Sequence, residues 1–210
     1  FMAMSVDDLN NFHIDVFREI ANIGSGNAAT ALANMLNKKV DMDVPKVKIL
    51  EFKDVTEMLG GAEVIVVGIL LKVAGDLTGN MMFILEKSSA HILVNMLMGR
   101  PWTVDEQTDE FSEIEISALK EIGNILAGSY LSALTSLTGL RILPSVPDMA
   151  IDMAGAILSV PAIQFGKLGD TVLYIETEFS EDDKKVVGSF FLIPDVESYD
   201  ILLKSLGVIS

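Results

Sequence analysis

The chain of 210 residues contains an internal repeat, and this repeat limits the folds it can adopt. Residues 19–32, EIANIGSGNAATAL, align with residues 121–134, EIGNILAGSYLSAL, when the sequence is shifted by 102 positions. The Val-Pro pair at 44–45 meets the pair at 146–147 at the same shift. Because a duplicated chain gives its two halves the same order of elements, a helix assigned in one half predicts a helix in the other.

The later parts of the two halves correspond at a slightly longer shift. GNMMFILEK, from Gly79, resembles GSFFLIPD, from Gly188, and ILVNMLMG, from Ile92, resembles ILLKSLGV, from Ile201. Each half therefore predicts a long helix, an extended segment near the Val-Pro pair, two strands and a closing helix. We expect an α+β fold: an internally duplicated pseudo-two-fold domain with a mixed or antiparallel sheet and long helices packed on it.

We expect one domain over residues 1–210, built from repeats at about 10–99 and 112–207. The polar and acidic stretch 100–111, RPWTVDEQTDEF, is the expected connector. The second half has an additional segment, PDMAIDMAGAIL at 147–158, which we expect to form a helix before the strands. Helices are expected to cover one face of the sheet and its ends.

Composition excludes several classes of protein. The formal net charge is −15, so the basic surface that a nucleic-acid or anionic-membrane binder needs is missing. The longest apolar stretch, Val64 to Leu71, is too short to cross a bilayer. The chain has no cysteine, which excludes disulfides, thiolate zinc sites and thiol nucleophiles and is compatible with a cytoplasmic location. We expect protein or small-molecule partners.

Gly24, Gly26 and Ala29 fit the G-x-G-x-x-G/A pattern that holds a dinucleotide pyrophosphate at a helix start. That pattern needs a strand before its first glycine. The preceding residues, 15–23, instead have apolar side chains at helical spacing, and Gly24 falls within their apolar arc. Its counterpart in the second copy is Leu126, an ordinary core residue. We therefore reject a dinucleotide site.

The opposite face of this helix carries Glu19 and Asn22, three residues apart, with Gly26 one turn further on. The second copy has the same group at Glu121, Asn124 and Gly128. A glycine inside a helix costs up to about 1 kcal/mol relative to alanine, so one on a solvent face needs a reason, and close approach of a partner is one. Asparagine cannot act as a base near neutral pH, but its amide can hold a water molecule, as a glutamine does in GTP hydrolysis.

These residues form a motif, [D/S]-x-x-x-E-x-x-N, that begins at Asp15 in the first copy and at Ser117 in the second. With it the chain resembles the CheC/CheX/FliY family of bacterial chemotaxis phosphatases over nearly its whole length. Members of the CheX type carry one motif and those of the FliY type carry additional domains. Two motifs within 210 residues are most similar to the CheC type.

The resemblance implies that the chain is a hydrolase for the aspartyl phosphate of the response regulator CheY, a step in two-component signalling in the bacterial cytoplasm. In the family's mechanism the asparagine aligns water for in-line attack and the glutamate pairs with a lysine of the regulator. The catalytic residues implied here are Glu19, Asn22, Glu121 and Asn124, supported by Asp15, Ser117, Gly26 and Gly128. By the same resemblance, we expect that the chain needs no cofactor of its own and that CheY supplies Mg²⁺.

The resemblance further implies a second partner, CheD, which enhances the phosphatase activity of CheC-type proteins. The IDM segment of the second half matches the family pattern, which makes Asp152 the candidate contact. An exposed aspartate near a helix cap would have the same sequence environment without any binding role.

Two other interpretations stay open from the residues. The chain could be a docking module that sequesters phosphorylated CheY, CheD or both without significant catalysis. A metal site formed by Asp15, Glu19 and Asn22 is disfavoured, because Ser117 interrupts the ligand set in the second copy. Access to the two sites could also differ, since the second helix has Tyr130 where the first has Ala28.

Overall fold

The computed structural model describes residues 11–101, 110–165, 171–181 and 184–207 of the chain. Its elements, in chain order, are α1 (Asn11–Leu36), β1 (Asp41–Glu51), a 3-10 turn (Phe52–Asp54), α2 (Val55–Met58), β2 (Ile65–Gly75), β3 (Gly79–Glu86), α3 (Lys87–Leu97), α4 (Glu113–Thr138), β4 (Ile142–Pro144), β5 (Asp148–Met153), α5 (Ala154–Phe165), β6 (Thr171–Glu181), β7 (Lys184–Pro194) and α6 (Val196–Ser205). Most of the expected connector, residues 102–109, lies outside the described residues.

The two long helices are equivalent in length and in the way they end. α1 and α4 each span 26 residues, and their first and last residues are related by the 102-residue shift. The residues that follow their ends, Asn37 and Gly139, have positive φ angles of 51° and 73°. Glycine and asparagine are the residues that tolerate this left-handed conformation, so the same helix stop is encoded in both copies.

A capping box fixes the start of α4. The Ser112 hydroxyl oxygen accepts a hydrogen bond from the backbone N–H of Glu115, whose carboxylate accepts one from the backbone N–H of Ser112 at 2.9 Å. Arg100 donates to the same carboxylate at 2.6 Å. The backbone hydrogen bond from Ser112 is the largest cause that lowers the pKa of Glu115 from its ordinary value of 4.5. The N-terminus of α4 is therefore held in a defined position.

The strands of the described residues form one antiparallel sheet in the order β1-β6-β7-β3-β2-β4, with β5 also paired to β2. The outer strands are exchanged between the halves. β1 of the first half pairs with β6 of the second, and β4 and β5 of the second half pair with β2 of the first. The centre of the sheet is the β3-β7 pair. The sheet thus has the pseudo-two-fold arrangement expected of the duplicated α+β fold.

The sheet packs against helices on both faces. On one face α1, α3, α4 and α6 cover a main core that includes Ile69, Phe83 and Phe190. On the other face α2 and α5 cover a smaller core around Met82 and Phe191. The long helices therefore share one face, as expected, but the expectation that helices cover only one face and the ends was wrong. Met82 and Phe83 are neighbours in β3 and both are buried. Since successive side chains of a strand point to opposite faces, both faces of the sheet need cover.

Residues 147–158 do not form the single helix expected from the sequence. Most of the first half of this segment is β5, which pairs with β2, and α5 begins only after it. The apolar residues Met149, Ile151 and Met153 recur at every second position, which is the period of a strand. Pairing with β5 satisfies backbone groups that β2 would otherwise leave open at the edge of the sheet.

Both Val-Pro pairs interrupt strand pairing. In β1 the register shifts between Asp43 and Lys46, across the first pair. In the second half the pairing with β2 stops after Pro144 and resumes at Asp148, and between them Ser145 still donates its backbone N–H to the carbonyl of Lys72 at 2.8 Å. A proline has no backbone N–H to give to a ladder, so a bulge or a gap at this position is expected. In the second half this gap becomes a loop beside α4.

Candidate functional site

α1 presents the predicted polar group to solvent. Glu19, Asn22 and Gly26 are exposed, whereas Phe17 and Ile20, on the other side of the helix, are each only 1% exposed. This distribution follows from the helical period, because residues three and four apart share a face. The structure therefore places the three motif residues on one accessible face.

α4 repeats this arrangement. Glu121 and Asn124 are exposed and Gly128 is half-buried, while Ile122 and Leu126 are fully buried. Leu126 is the counterpart of Gly24, and both face the interior of the protein. The apolar arc that argues against a dinucleotide site is therefore the core-facing side of each helix.

The Glu-Asn pairs, Glu19 with Asn22 and Glu121 with Asn124, are available to a ligand. In residues 11–101 and the other described ranges, no hydrogen bond or ion pair engages any of these four side chains. The backbone carbonyl of Asn22 accepts a hydrogen bond from Ser25 at 3.0 Å, but this leaves the amide side chain unengaged. A carboxylate and an amide side by side offer one strong acceptor and a group that both donates and accepts.

Gly24 and Gly26 lie on opposite faces of α1, and the surroundings of a side chain at these two positions differ. A Cβ added at Gly26 would meet no atom within 4 Å, and the same holds for Gly128. A Cβ added at Gly24 would collide with the ring of Tyr130 on α4 and lie 3.1 Å from its Cα. Gly24 is therefore required for the contact between the two helices, whereas packing gives no reason for Gly26 or Gly128. The open space beside each Glu-Asn pair allows a partner to approach the helix backbone.

Tyr130 does not restrict access to the second pair. Its side chain is 2% exposed, points toward Gly24 and the core, and its hydroxyl lies 3.1 Å from that of Thr177. Burial raises the pKa of Tyr130 to about 12. The difference between Tyr130 and its counterpart Ala28 is thus a difference in packing between α1 and α4, and the expectation that it could affect access was wrong.

The first residues of the two motifs behave differently. The carboxylate of Asp15 forms an ion pair with Arg18, one turn further along the exposed face of α1. Ser117 has no charge, and its hydroxyl donates to the backbone carbonyl of Glu113 at 2.9 Å. This bond to the preceding turn is a common local one for serine in helices. Neither interaction reaches the side chains of a Glu-Asn pair.

The second Glu-Asn pair lines an open groove of about 520 Å³. One wall is the polar face of α4, with Lys120 and Ser117 beside the pair. The other wall is the last residue of β4 and the loop that follows it, residues 144–147, which we name the Val-Pro loop. From the sequence, this Val-Pro pair aligns the repeats and marks an extended segment but does not indicate a wall of the site, and Lys120 was not predicted to belong to the site. The spacing of Lys120, four residues before Asn124, was the available signal.

Asp152 lies away from both Glu-Asn pairs. It is an exposed residue of β5 rather than of a helix, because the predicted helix begins two residues later. Its carboxylate accepts a hydrogen bond from the backbone N–H of Met153 at 2.7 Å. Since β5 pairs with β2 and α5 packs on the opposite face from α4, Asp152 occupies an outer strand of the sheet.

The described residues contain neither a candidate metal site nor a helix that could span a membrane. No group of three or more His, Asp or Glu side chains there could hold a metal ion. No helix within the same ranges combines the length and the apolar character that crossing a membrane requires. The Asp15 carboxylate that a metal site would need is bound to Arg18.

The fold and the two helices define a class of protein: a duplicated α+β fold that displays a Glu-Asn pair on each of two equivalent helices. A model of the CheC-like family matches residues 12–49 and 114–151. These two matches are separated by the same 102 residues as the repeat. The chain is also 39% identical over 198 residues to the CheY-P phosphatase CheC of Bacillus subtilis, covering 92% of this chain and 93% of that protein. The chain belongs to the CheC-like family.

Two further relatives agree with this assignment. The flagellar motor switch phosphatase FliY of Bacillus subtilis is 28% identical over 146 residues, which cover 70% of this chain and 37% of FliY. The crystal structure of FliY from Thermotoga maritima is 25% identical and superimposes with a TM-score of 0.73, covering 95% of this chain and 98% of that one. The similarity in structure thus extends over both repeats and the shared sheet.

Proposed function

We propose that this chain is a phosphatase that hydrolyses the aspartyl phosphate of phosphorylated CheY. The observation that carries the proposal is the repeated Glu-Asn pair, exposed and without a side-chain partner in the described residues, beside a glycine that leaves open space. A relative with 39% identity over nearly the full length bears the name CheY-P phosphatase, which supports the same activity for this chain.

The proposed reaction is an in-line displacement by water. The oxygen of a water molecule attacks phosphorus, and the bond between phosphorus and the aspartyl oxygen breaks. Inorganic phosphate and an aspartate carboxylate are released, and the proton of the water passes to phosphate or solvent. Catalysis of this kind depends chiefly on positioning, because the transition state is loose and little covalent chemistry is left to the protein.

Each asparagine is suited to the positioning of this water. The amide of Asn22 or Asn124 can accept a hydrogen bond from the water and donate another to a phosphoryl oxygen, and so hold the water in line. Glu19 or Glu121, one turn earlier on the same face, can pair with a lysine of the regulator and fix the helix against the phosphorylation site. Gly26 and Gly128 allow that approach, and Asp15 and Ser117 occupy the first position of the motif, outside the reacting pair.

The site depends on its partner for the remaining chemistry. The sequence has no phosphate-binding loop, so the proposal assigns both Mg²⁺ and the cation that meets the glutamate to CheY. The chain itself then acts without a cofactor, in the bacterial cytoplasm where its substrate would be found. Two Glu-Asn pairs on separate helices would allow hydrolysis at either copy.

Single substitutions of the asparagines test this function and separate it from docking alone. Asn22→Ala and Asn124→Ala each leave one intact pair, so each variant is expected to retain part of the phosphate release from labelled CheY. Both variants should still bind phosphorylated CheY, because each glutamate remains. Full phosphate release by both single variants and by the variant that combines them would contradict the proposal. Binding by the unsubstituted chain without faster phosphate release would support the docking module instead.

We further propose that CheD binds the chain at the outer strand that carries Asp152 and modulates the phosphatase. The support is its exposure on β5, where a partner can reach both the carboxylate and the open edge of the strand. Asp152→Ala is expected to weaken the binding of purified CheD, measured by titration calorimetry. Glu197→Ala, at an exposed position of α6, is a matched control that should bind as the unsubstituted chain does. Equal affinities of the two variants would refute this contact.

A further inference from the structure

The two copies of the site differ in the surroundings of the basic side chain that precedes the glutamate. Arg18 of α1 and Lys120 of α4 occupy equivalent positions in the 102-residue repeat, each directly before the glutamate of its pair. The Arg18 guanidinium lies 2.5 Å from the carboxylate of Asp15. The residue of α4 that corresponds to Asp15 is Ser117, which has no charge and donates to a backbone carbonyl. The second copy therefore lacks the counter-ion that the first copy has.

Lys120 has a different environment from Arg18 as a result. Among the described residues it forms no ion pair or hydrogen bond. It is half-buried and lines the groove between α4 and the Val-Pro loop, together with Glu121 and Asn124. Because Lys120 and Asn124 are four residues apart, they lie on the same side of the helix. An unpaired ammonium at the wall of a groove attracts an anion that enters it.

We propose that Lys120 is a substrate-binding residue of the second site, where it pairs with an anionic group of phosphorylated CheY. This inference rests on the proposed phosphatase function and adds a recognition residue to it. The anion is either the phosphoryl group or a carboxylate near it, since an ammonium donates to both. In the first site Asp15 already neutralises Arg18, so that site lacks an equivalent attraction.

The test isolates the second site by means of Asn22→Ala. In that background Lys120→Met is expected to raise the KM for phosphorylated CheY by about three- to tenfold, the size expected for a partly exposed ion pair across an interface. The kcat should stay the same, because the lysine acts in binding. The fall of kcat/KM with rising salt should also become shallower. Lys120→Arg keeps the charge and should restore the low KM and the salt dependence.

A converse experiment uses the difference between the copies. In the Asn124→Ala background, where only the first site is active, Asp15→Ser removes the partner of Arg18. The released guanidinium should then lower the KM of the first site and make its kcat/KM more sensitive to salt.

To identify the anion, the affinity of Lys120→Met for CheY is measured with and without beryllofluoride, which mimics the phosphoryl group, and is compared with the affinity of the chain that keeps Lys120. A loss only with beryllofluoride assigns the phosphoryl group, and an equal loss assigns a carboxylate.

Three results would overturn this role of Lys120. They are an unchanged KM in Lys120→Met, an unchanged salt dependence, or a fall in kcat with KM unaltered, which would place the lysine in the chemical step. Failure of the phosphatase function itself gives a different result. In that case the combined Asn22→Ala and Asn124→Ala variant would release phosphate as fast as the unsubstituted chain, whatever residue occupies position 120. Circular dichroism is to be recorded for each variant to check that it is folded.

Discussion

The glycine on the exposed face of α1 provides a prediction with an internal control. Gly26→Ala adds one methyl group beside the first Glu-Asn pair, and Gly24→Ala adds the same group two residues earlier on the buried face. Both positions lie inside α1, so both substitutions gain the same helix propensity, about 0.5–1 kcal/mol. The two variants differ only in what the methyl group meets.

The expected free energies of unfolding follow from these surroundings. The methyl group at Gly26 meets no atom within 4 Å, so this variant should be more stable by about 0.5–1 kcal/mol. The methyl group at Gly24 would lie 2.9 Å from Cε1 of Tyr130 and 3.1 Å from its Cα, and a backbone atom cannot rotate away. Overpacking of this kind costs about 1–3 kcal/mol, which exceeds the gain in propensity. Gly24→Ala should therefore be less stable than the unsubstituted chain.

The order of the two variants is reversed for phosphate release: the more stable Gly26→Ala should lose activity, and the less stable Gly24→Ala should keep it. Measured in the Asn124→Ala background, Gly26→Ala should reduce release from phosphorylated CheY by about tenfold or more, because a displacement of about 1 Å at the reacting groups costs up to about a hundredfold. Gly24→Ala should keep its rate per folded molecule. Urea unfolding gives the stabilities. If Gly26→Ala is more stable and releases phosphate at the original rate, no partner approaches this part of the helix, and the reason given for the exposed glycines is wrong.

Three further predictions concern the fold. Ser112→Ala removes the cap of α4 and should lower the free energy of unfolding by about 1 kcal/mol, measured in urea. Because the folded-state pKa of Glu115 is lowered, its contribution to stability should be complete above its ordinary pKa of 4.5 and disappear as the pH falls below it. Glu115→Gln should lack this acid-dependent loss when unfolding is followed between about pH 6 and pH 3. Tyr130→Phe leaves the buried Thr177 hydroxyl without its partner and should cost about 1–3 kcal/mol without altering phosphate release; no change in its urea midpoint would contradict this contact.

The duplication, the long helices and the strand pairs could be predicted from the sequence because each has its own local signal. The helical period alone assigns Gly24 and Gly26 to different faces of α1, and the equivalent Leu126 identifies the buried side. The same reasoning places both Glu-Asn pairs on exposed faces. These features depend on residues within one helix or on the comparison of the two copies.

Other features depend on contacts between distant segments and could not be predicted in this way. The exchange of β1 and of β4 and β5 between the halves is set by the packing of the whole sheet, although each strand has an ordinary pattern. The contact of Tyr130 with Gly24 joins two helices that the repeat shows only as equivalent. The groove at Lys120 exists because the Val-Pro loop folds back beside α4. The error at residues 147–158 was avoidable, since their alternating apolar residues already indicated a strand.

The central claim is that the two asparagines position the water that hydrolyses the phosphoryl group. The most direct test is phosphate release from labelled CheY by the combined Asn22→Ala and Asn124→Ala variant, compared with the unsubstituted chain and with CheY alone. Both asparagines are exposed, and their side chains form no hydrogen bond in the described residues, so the variant should fold normally. We predict a rate equal to the spontaneous loss from CheY alone. A rate equal to that of the unsubstituted chain would contradict the claim.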